Sequence, residues 1–333
     1  MTWLVTGGAG YIGSHVVLAL REAGLAPVVI DDLSSGFARF VPEDVPFVQA
    51  SILDGETVRG TLREHGVEGV IHLAGFKYAG VSVRRPLHTY AQNVQGTATL
   101  LEAMVAEGVR NLVFSSSAAT FGTPDVDLVT EQTPTNPESP YGESKLIGEW
   151  LIADVARAGS DDGNDDDRLR HTSLRYFNVV GSGTPRLFDT SPHNLFPLVF
   201  DALAHGRTPQ INGDDYPTPD GTCVRDYVHV ADLAHSHVVA AQRLAAGETL
   251  EPVYNLGSGE GSSVRQIMDT IREVTGIDFT PEIKPRRPGD PARIVATGEL
   301  ARRDLDWAMR HDLRAMVASA WEARQLAGND YPA

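Results

Sequence analysis

Along the first half of the chain, short apolar runs alternate with longer stretches in which apolar residues recur every three or four positions. The short runs are Trp3-Leu4-Val5, Val28-Val29-Ile30, Phe47-Val48, Val70-Ile71-His72-Leu73 and Leu112-Val113-Phe114. Runs that are apolar at every position suit strands buried on both faces, as in a parallel sheet. Helical periodicity fills the gaps from Ile12 to about Ala23, from Thr57 to Glu64, and from about Pro86 to Glu107. This alternation predicts an α/β fold with a doubly wound parallel sheet and right-handed crossovers.

The pattern changes in the second half. A helix is expected from about Tyr141 to Arg157, followed by the acidic, glycine-containing segment Ala158 to Asp167, which lacks calcium-loop spacing and reads as an exposed loop. Thr172-Ser173-Leu174-Arg175 resumes a strand. Beyond it, Pro185, Pro192, Pro209, Pro217 and Pro219 mark loops, the composition of a smaller C-terminal α/β substrate-binding lobe. The expected division is a dinucleotide-binding domain over residues 1–175 and a lobe over 176–333, with later segments returning to the first domain. Neither an internal repeat nor a low-complexity tract is visible.

Charge narrows the partners. Among 333 residues, 28 are basic and 44 acidic, giving −16 at neutral pH. Nucleic acid is therefore not an expected partner, because phosphate backbones need a basic face. A small anionic ligand needs only a local cluster of donors. His235 and His237 would point to different faces of a helix, so no metal site is expected. Cys223 is the single cysteine, which fits a reducing cytoplasm and excludes an intrachain disulfide. The sequence opens directly on a strand-like run, so no signal peptide is expected, and no apolar run is long enough to cross a membrane.

Thr6-Gly7-Gly8-Ala9-Gly10-Tyr11-Ile12-Gly13 lies between the first strand and the first helix, with glycines at 7, 10 and 13. Glycine there permits unusual backbone angles and close approach of a pyrophosphate, while the helix beginning near Tyr11 aims N–H groups at it. The second strand ends in Asp31, positioned to accept hydrogen bonds from both hydroxyls of an adenosine ribose; the alternative is that Asp31 only starts a turn. Asp31, backed by Asp32, would repel a 2′-phosphate, so the expected cofactor is NAD rather than NADP in a Rossmann-type domain. Lys77 follows the Val70–Leu73 strand at the carboxyl end, where such sheets bind ligands; a plain surface lysine is the alternative.

Ser115-Ser116-Ser117 follows the Leu112–Phe114 strand at the same edge, and Tyr141-Gly142-Glu143-Ser144-Lys145 places a phenol and an ammonium on one helical face. A free tyrosine titrates near ~10 and is no base at neutral pH. Lys145 and a cationic nicotinamide ring would favour its phenolate. Tyr141 would then take a proton from a carbinol whose hydrogen leaves as hydride, with Ser117 bonded to the same oxygen. The alternative is a buried tyrosine beside an ion-paired lysine.

On these residues the chain resembles the extended short-chain dehydrogenase/reductase family. Within it, the resemblance is to the UDP-glucose 4-epimerase family over essentially the whole length. Arg175-Tyr176-Phe177-Asn178 matches that family, as does the long stretch from Asp214-Asp215-Tyr216-Pro217 to Arg225-Asp226-Tyr227-Val228-His229-Val230. The resemblance implies a UDP-sugar substrate held by Asn178, Asn194, Leu195, Asn212, Arg225, Arg287 and Asp290, the arginines gripping the diphosphate. It places Asn93 near the nicotinamide ribose and Phe177 beside the ring. It extends the cofactor contacts to Leu33, Ser34, Gly36, Ser51, Ile52, Leu73, Ala74, Gly75 and Ser115. It also implies a homodimer through helices at about Asn93–Glu107 and Tyr141–Arg157. Phe121 stands where the family has tyrosine, Ser51 where it has aspartate, and Val179 where it has proline.

The activity implied is interconversion of UDP-galactose and UDP-glucose by transient oxidation at carbon 4. Ala118-Ala119-Thr120 after Ser117 offers no acid pair, which disfavours a 4,6-dehydratase. Ile294 lies where the family limits room around the sugar's carbon 2, and its intermediate size leaves N-acetylated and pentose UDP-sugars open. A non-catalytic NAD-sensing protein would have no need of Ser117, Tyr141 and Lys145 together.

Overall fold

The computed structural model describes residues 1–159, 168–287 and 290–328. The chain runs β1 (Thr2–Thr6), α1 (Tyr11–Glu22), β2 (Ala26–Asp31), β3 (Phe47–Gln49), α2 (Gly55–Glu64) and β4 (Gly69–His72). Next come α3 (Ala79–Ser82), α4 (Pro86–Tyr90), a π-helical turn (Ala91–Gln95), α5 (Gly96–Glu107), β5 (Asn111–Ser117), α6 (Pro140–Ala158) and β6 (Arg170–Tyr176). The expected helix from Pro86 to Glu107 is therefore interrupted by a π turn at Asn93. Ser117 ends β5 rather than following it, because β5 pairs with β6 as far as Ser117–Tyr176. Most of the acidic segment falls at residues 160–167, outside the described residues.

The second half adds β7 (Asn178–Val180), α7 (Leu195–Ala204), β8 (Gln210–Asn212), β9 (Val224–Arg225), β10 (Tyr227–His229) and α8 (Val230–Ala245). It closes with β11 (Val253–Leu256), β12 (Ser262–Ser263), α9 (Val264–Thr275), β13 (Glu282–Lys284), β14 (Arg293–Ile294), α10 (Glu299–Asp304) and α11 (Leu313–Ala327).

Seven strands form one sheet in the order β11-β6-β5-β4-β1-β2-β3, with every neighbouring pair parallel. Strand order reverses between β1 and β4, which opens a crevice at the carboxyl ends, where ligands bind in such sheets. Trp3 and Val5 of β1 face the cluster built from α1 and α8, and Leu4 faces the cluster built from α2, α5 and α6. Both faces are thus covered, the reason the strand sequences are apolar throughout.

The lobe has a core of its own, with Phe196 and Phe200 of α7, Ile267 and Ile271 of α9, and Val317 of α11. It is tied to the cofactor-side helix by Tyr11, whose hydroxyl donates to the Gly181 carbonyl at 2.6 Å, and by His15, which accepts from the Gly183 N–H at 3.0 Å.

Candidate active site

A cavity of about 840 Å³ runs along the carboxyl edge of the sheet and under the lobe. One end is the turn between β1 and α1. Gly7 has φ +72°, and a Cβ on Gly13 would lie 2.1 Å from the Gly7 carbonyl oxygen, so neither position tolerates a side chain. No side chain caps α1 and its first turn holds no acid, which leaves the positive end of the helix facing the cavity. These are features of a diphosphate cradle, and they fit NAD.

Asp31 ends β2 with its carboxylate already bonded twice. Oδ2 accepts from the Ala9 N–H at 3.0 Å and Oδ1 from the Leu33 N–H at 2.8 Å. Burial raises its pKa, and those two backbone donors oppose the shift. Asp31 therefore holds the turn together and still lines the cavity. Leu33 sits in the left-handed region at φ 59° and packs on the core rather than the cavity wall. Asp32, Ser34, Ile52, Leu73, Ala74, Gly75 and Lys77 line the cavity. Gly36 and Ser51 do not; a Cβ on Gly36 would lie 2.7 Å from the Ala9 carbonyl, and Ser51 accepts from the Leu53 N–H.

The middle of the cavity holds Ser115, Tyr141 and Lys145. Ser139 caps α6 through the Gly142 N–H and Pro140 takes its first position, so Tyr141 and Lys145 stand one turn apart near the helix start. Lys145 is buried and donates from Nζ to the Ser115 carbonyl at 2.7 Å. Burial lowers its pKa to about 8, with the Glu149 carboxylate opposing. Ser117 is not on the cavity wall but hydrogen-bonds Tyr141. Burial pushes the phenol up, the Ser117 hydrogen bond pulls it down, and the nearby ammonium is directed at Ser115 instead.

The far end is lined by Asn178, Asn194, Leu195, Asn212, Arg225, Arg287 and Asp290. Arg225 is anchored by its donation to the Pro291 carbonyl at 2.7 Å and lies 3.4 Å from the Asp290 carboxylate. With its amide turned to satisfy both groups, Asn212 accepts from Nε and Nη2 of Arg287, each at 3.2 Å. Two guanidinium groups facing one wall suit a diphosphate. Phe177 lines the cavity, whereas Ile294 packs beside it on the Phe121, Val129 and Ala296 cluster.

The amino-acid sequence matches the model of the NAD dependent epimerase/dehydratase family over residues 3–257. The chain belongs to that family. It is 44% identical to the UDP-glucose 4-epimerase of Corynebacterium glutamicum, over 99% of this chain and 97% of that protein. A solved UDP-glucose 4-epimerase superposes with a TM-score of 0.93 at 39% identity, covering 100% of both chains. The enzyme of Stenotrophomonas maltophila, solved with NAD and formylated UDP-arabinopyranose, superposes at 0.92 with 39% identity over 99% of each chain. The family's NAD dependence agrees with the glycine turn and with Asp31.

Several residues of the site were missed in the sequence. Glu149 lies four residues beyond Lys145 on the same face, and its carboxylate is gripped by Arg175 at 2.6 and 2.8 Å. The repeated spacing 141, 145, 149 was the available signal. Tyr176 is bonded to the Ser115 hydroxyl, and burial drives its pKa upward. Asp226 is fully buried, accepts from the Ser258 and Ala296 N–H groups, and has its pKa pushed up to about 6 by burial. Asn93 is also off the cavity wall; its side chain bonds both backbone groups of Phe76, which is on it.

Proposed function

We propose that the protein interconverts UDP-galactose and UDP-glucose by oxidising carbon 4 of the sugar and reducing it from the opposite face. The observation that carries this reading is one cavity lined by the glycine turn, Tyr141 with Lys145, and the Arg225–Arg287 wall. NAD, when bound, supplies the hydride acceptor and the hydride that returns. Tyr141 takes the proton from the carbon-4 hydroxyl, and Ser117, which stands behind the cavity wall, acts through its hydrogen bond to the Tyr141 phenol and comes to the same oxygen only as the substrate closes on Tyr141. Arg225 and Arg287 grip the diphosphate while the hexose turns, and Gly7, Gly10, Tyr11, Ile12, Gly13 and Asp31 hold the cofactor.

A pentose or N-acetylated UDP-sugar is the second reading. It is favoured by Ile294, which stands off the cavity wall, and by the relative solved with formylated UDP-arabinopyranose. Val105 of α5 and Trp150 of α6 are 66% and 57% exposed, which supports a homodimer packed through these two helices. The residue 175/176 division into cofactor domain and lobe, and a cytoplasmic setting, complete the reading. No described helix is long and apolar enough to cross a membrane.

The test is to mix purified protein, without added cofactor, with UDP-galactose and follow UDP-glucose by NMR. Conversion is expected, because the cofactor is retained through each turnover. No conversion even with NAD supplied would remove this substrate pair. Repeating the assay with UDP-N-acetylgalactosamine and a UDP-pentose separates the second reading.

A further inference from the structure

Thr6, His72, Thr97 and Asn93 lie in the protein interior, at the end of β1, the end of β4 and along the helix beside them, and all are buried. Their partners fix the direction of the hydrogen bonds between them. Thr6 Oγ1 accepts from the Leu73 and Ala74 N–H groups, each at 3.2 Å, so its own proton is left to donate. The partner is His72 Nδ1 at 2.7 Å, which must therefore be the bare nitrogen. The ring proton then sits on Nε2 and is given to Thr97 Oγ1 at 3.1 Å. Thr97 passes its proton to the Asn93 carbonyl at 2.6 Å.

From Asn93 the line divides. The side-chain oxygen accepts from the Phe76 N–H at 2.6 Å and the amide donates to the Phe76 carbonyl at 3.0 Å, pinning the turn that carries Gly75 and Lys77. The same amide donates at 2.8 Å to Ser144 Oγ, whose proton goes to the Tyr141 carbonyl at 2.8 Å. The π turn at Ala91–Gln95 sets Asn93 in register for both, and such turns recur at functional positions. A Cβ on Gly75 would come 2.8 Å from the Asn93 oxygen, so the turn and the amide are fitted to each other.

We infer that His72 and Thr97 are positioning residues for this reaction, setting the cofactor-side turn and the Tyr141 backbone at a fixed separation through Asn93. The inference rests on the reading of Tyr141 as the base. Neither residue lines the cavity, and both act through Asn93. Burial holds the imidazole neutral, with its pKa near 3, so the line keeps its direction across the working pH range.

Two measurements test it. Nitrogen-15 NMR of the histidines in the holoenzyme should show one buried ring as the Nε2–H tautomer, unprotonated at pH 5, and assigned to His72 by its loss in His72→Gln. An Nδ1–H tautomer for that ring would overturn the inference whatever the activity. Thr97→Val keeps the shape and cuts the line. Its kcat for UDP-galactose should fall ~10-fold or more with KM within about twofold, since misplaced reacting groups cost rate rather than binding. Thr97→Ser should restore kcat to within about twofold. A Thr97→Val enzyme with full NAD content and unchanged kcat, or an equal loss in Thr97→Ser, would refute the inference. If Thr97→Val does not fold, Ser144→Ala cuts the last link and is judged by the same split. A parent protein inert toward UDP-galactose would sink the functional reading instead, and the tautomer would still decide the hydrogen-bond line.

Discussion

At the scale of single residues, Tyr141 is where opposing effects meet. Burial raises its pKa and the Ser117 hydrogen bond lowers it, so within the protein alone the phenol stays protonated at neutral pH. In the proposed reaction a bound, cationic nicotinamide ring would supply the charge that tips the balance. Tyr141→Phe removes the base and should lower turnover by at least ~10² while NAD remains bound, measured by steady-state kinetics and cofactor content. Near-normal turnover would dismiss the role. Asp31→Ala should narrow the preference for NAD over NADP. Because Asp31 also accepts from Ala9 and Leu33, the same change should lower thermal stability by about 1–3 kcal/mol. An unchanged ratio of NAD and NADP affinities would remove the ribose contact from the account. Residue identities at the glycine turn were legible because backbone geometry demands them. The direction of the Tyr141 shift was not, since it depends on where Lys145 points, and a sequence shows only spacing.

At the scale of elements, α6 carries Tyr141, Lys145 and Glu149 along one face, and Arg175 of β6 reaches back to it. Side-chain exposure of that ion pair is 6% and 7%, and Ser116 adds a third contact to the carboxylate at 2.5 Å. Breaking a buried pair strands a charge. Glu149→Ala should therefore cost about 3–5 kcal/mol of stability by denaturant unfolding. A loss below ~1 kcal/mol would mean that water reaches Arg175 and that the pair does not brace the helix. Strands β1 to β6 and helices α1, α2, α5 and α6 were legible from periodicity, because each had to bury an apolar face; β11 and the helices α7 to α11 were not read from the sequence. The π turn at Ala91–Gln95 was not, for its cause is a tertiary demand: Asn93 has to meet Phe76 and Ser144 at once. The short strands β7 to β10 and β12 to β14 carried no signal either, being two or three residues long and set by loops from distant segments.

At the scale of the molecule, the feature least visible in the sequence is how much neutral histidine the fold encloses. Burial lowers His15, His171 and His237 to about 4 and His72 and His229 to about 3, from an ordinary value near 6.5. Each binds a proton more readily when the chain is unfolded, so its contribution is intact above about pH 6.5 and is lost as the pH falls toward 4. Asp226 works the other way. Its folded pKa, about 6, exceeds the ordinary 3.8, so acid relieves its burial between those values, and Asp31 is shifted in the same direction. Five histidines outweigh two carboxyls, and the net slope favours neutral pH. The melting temperature measured by calorimetry should fall as pH is lowered from 7 to 5, with net proton uptake on unfolding. His237→Gln should flatten that slope, since this ring is wholly enclosed on α8 and donates from Nδ1 to the Leu233 carbonyl. A melting temperature that holds or rises between pH 7 and 5 would mean that the buried rings accept protons without penalty, and would weaken the case for a neutral His72 in the line that positions Tyr141.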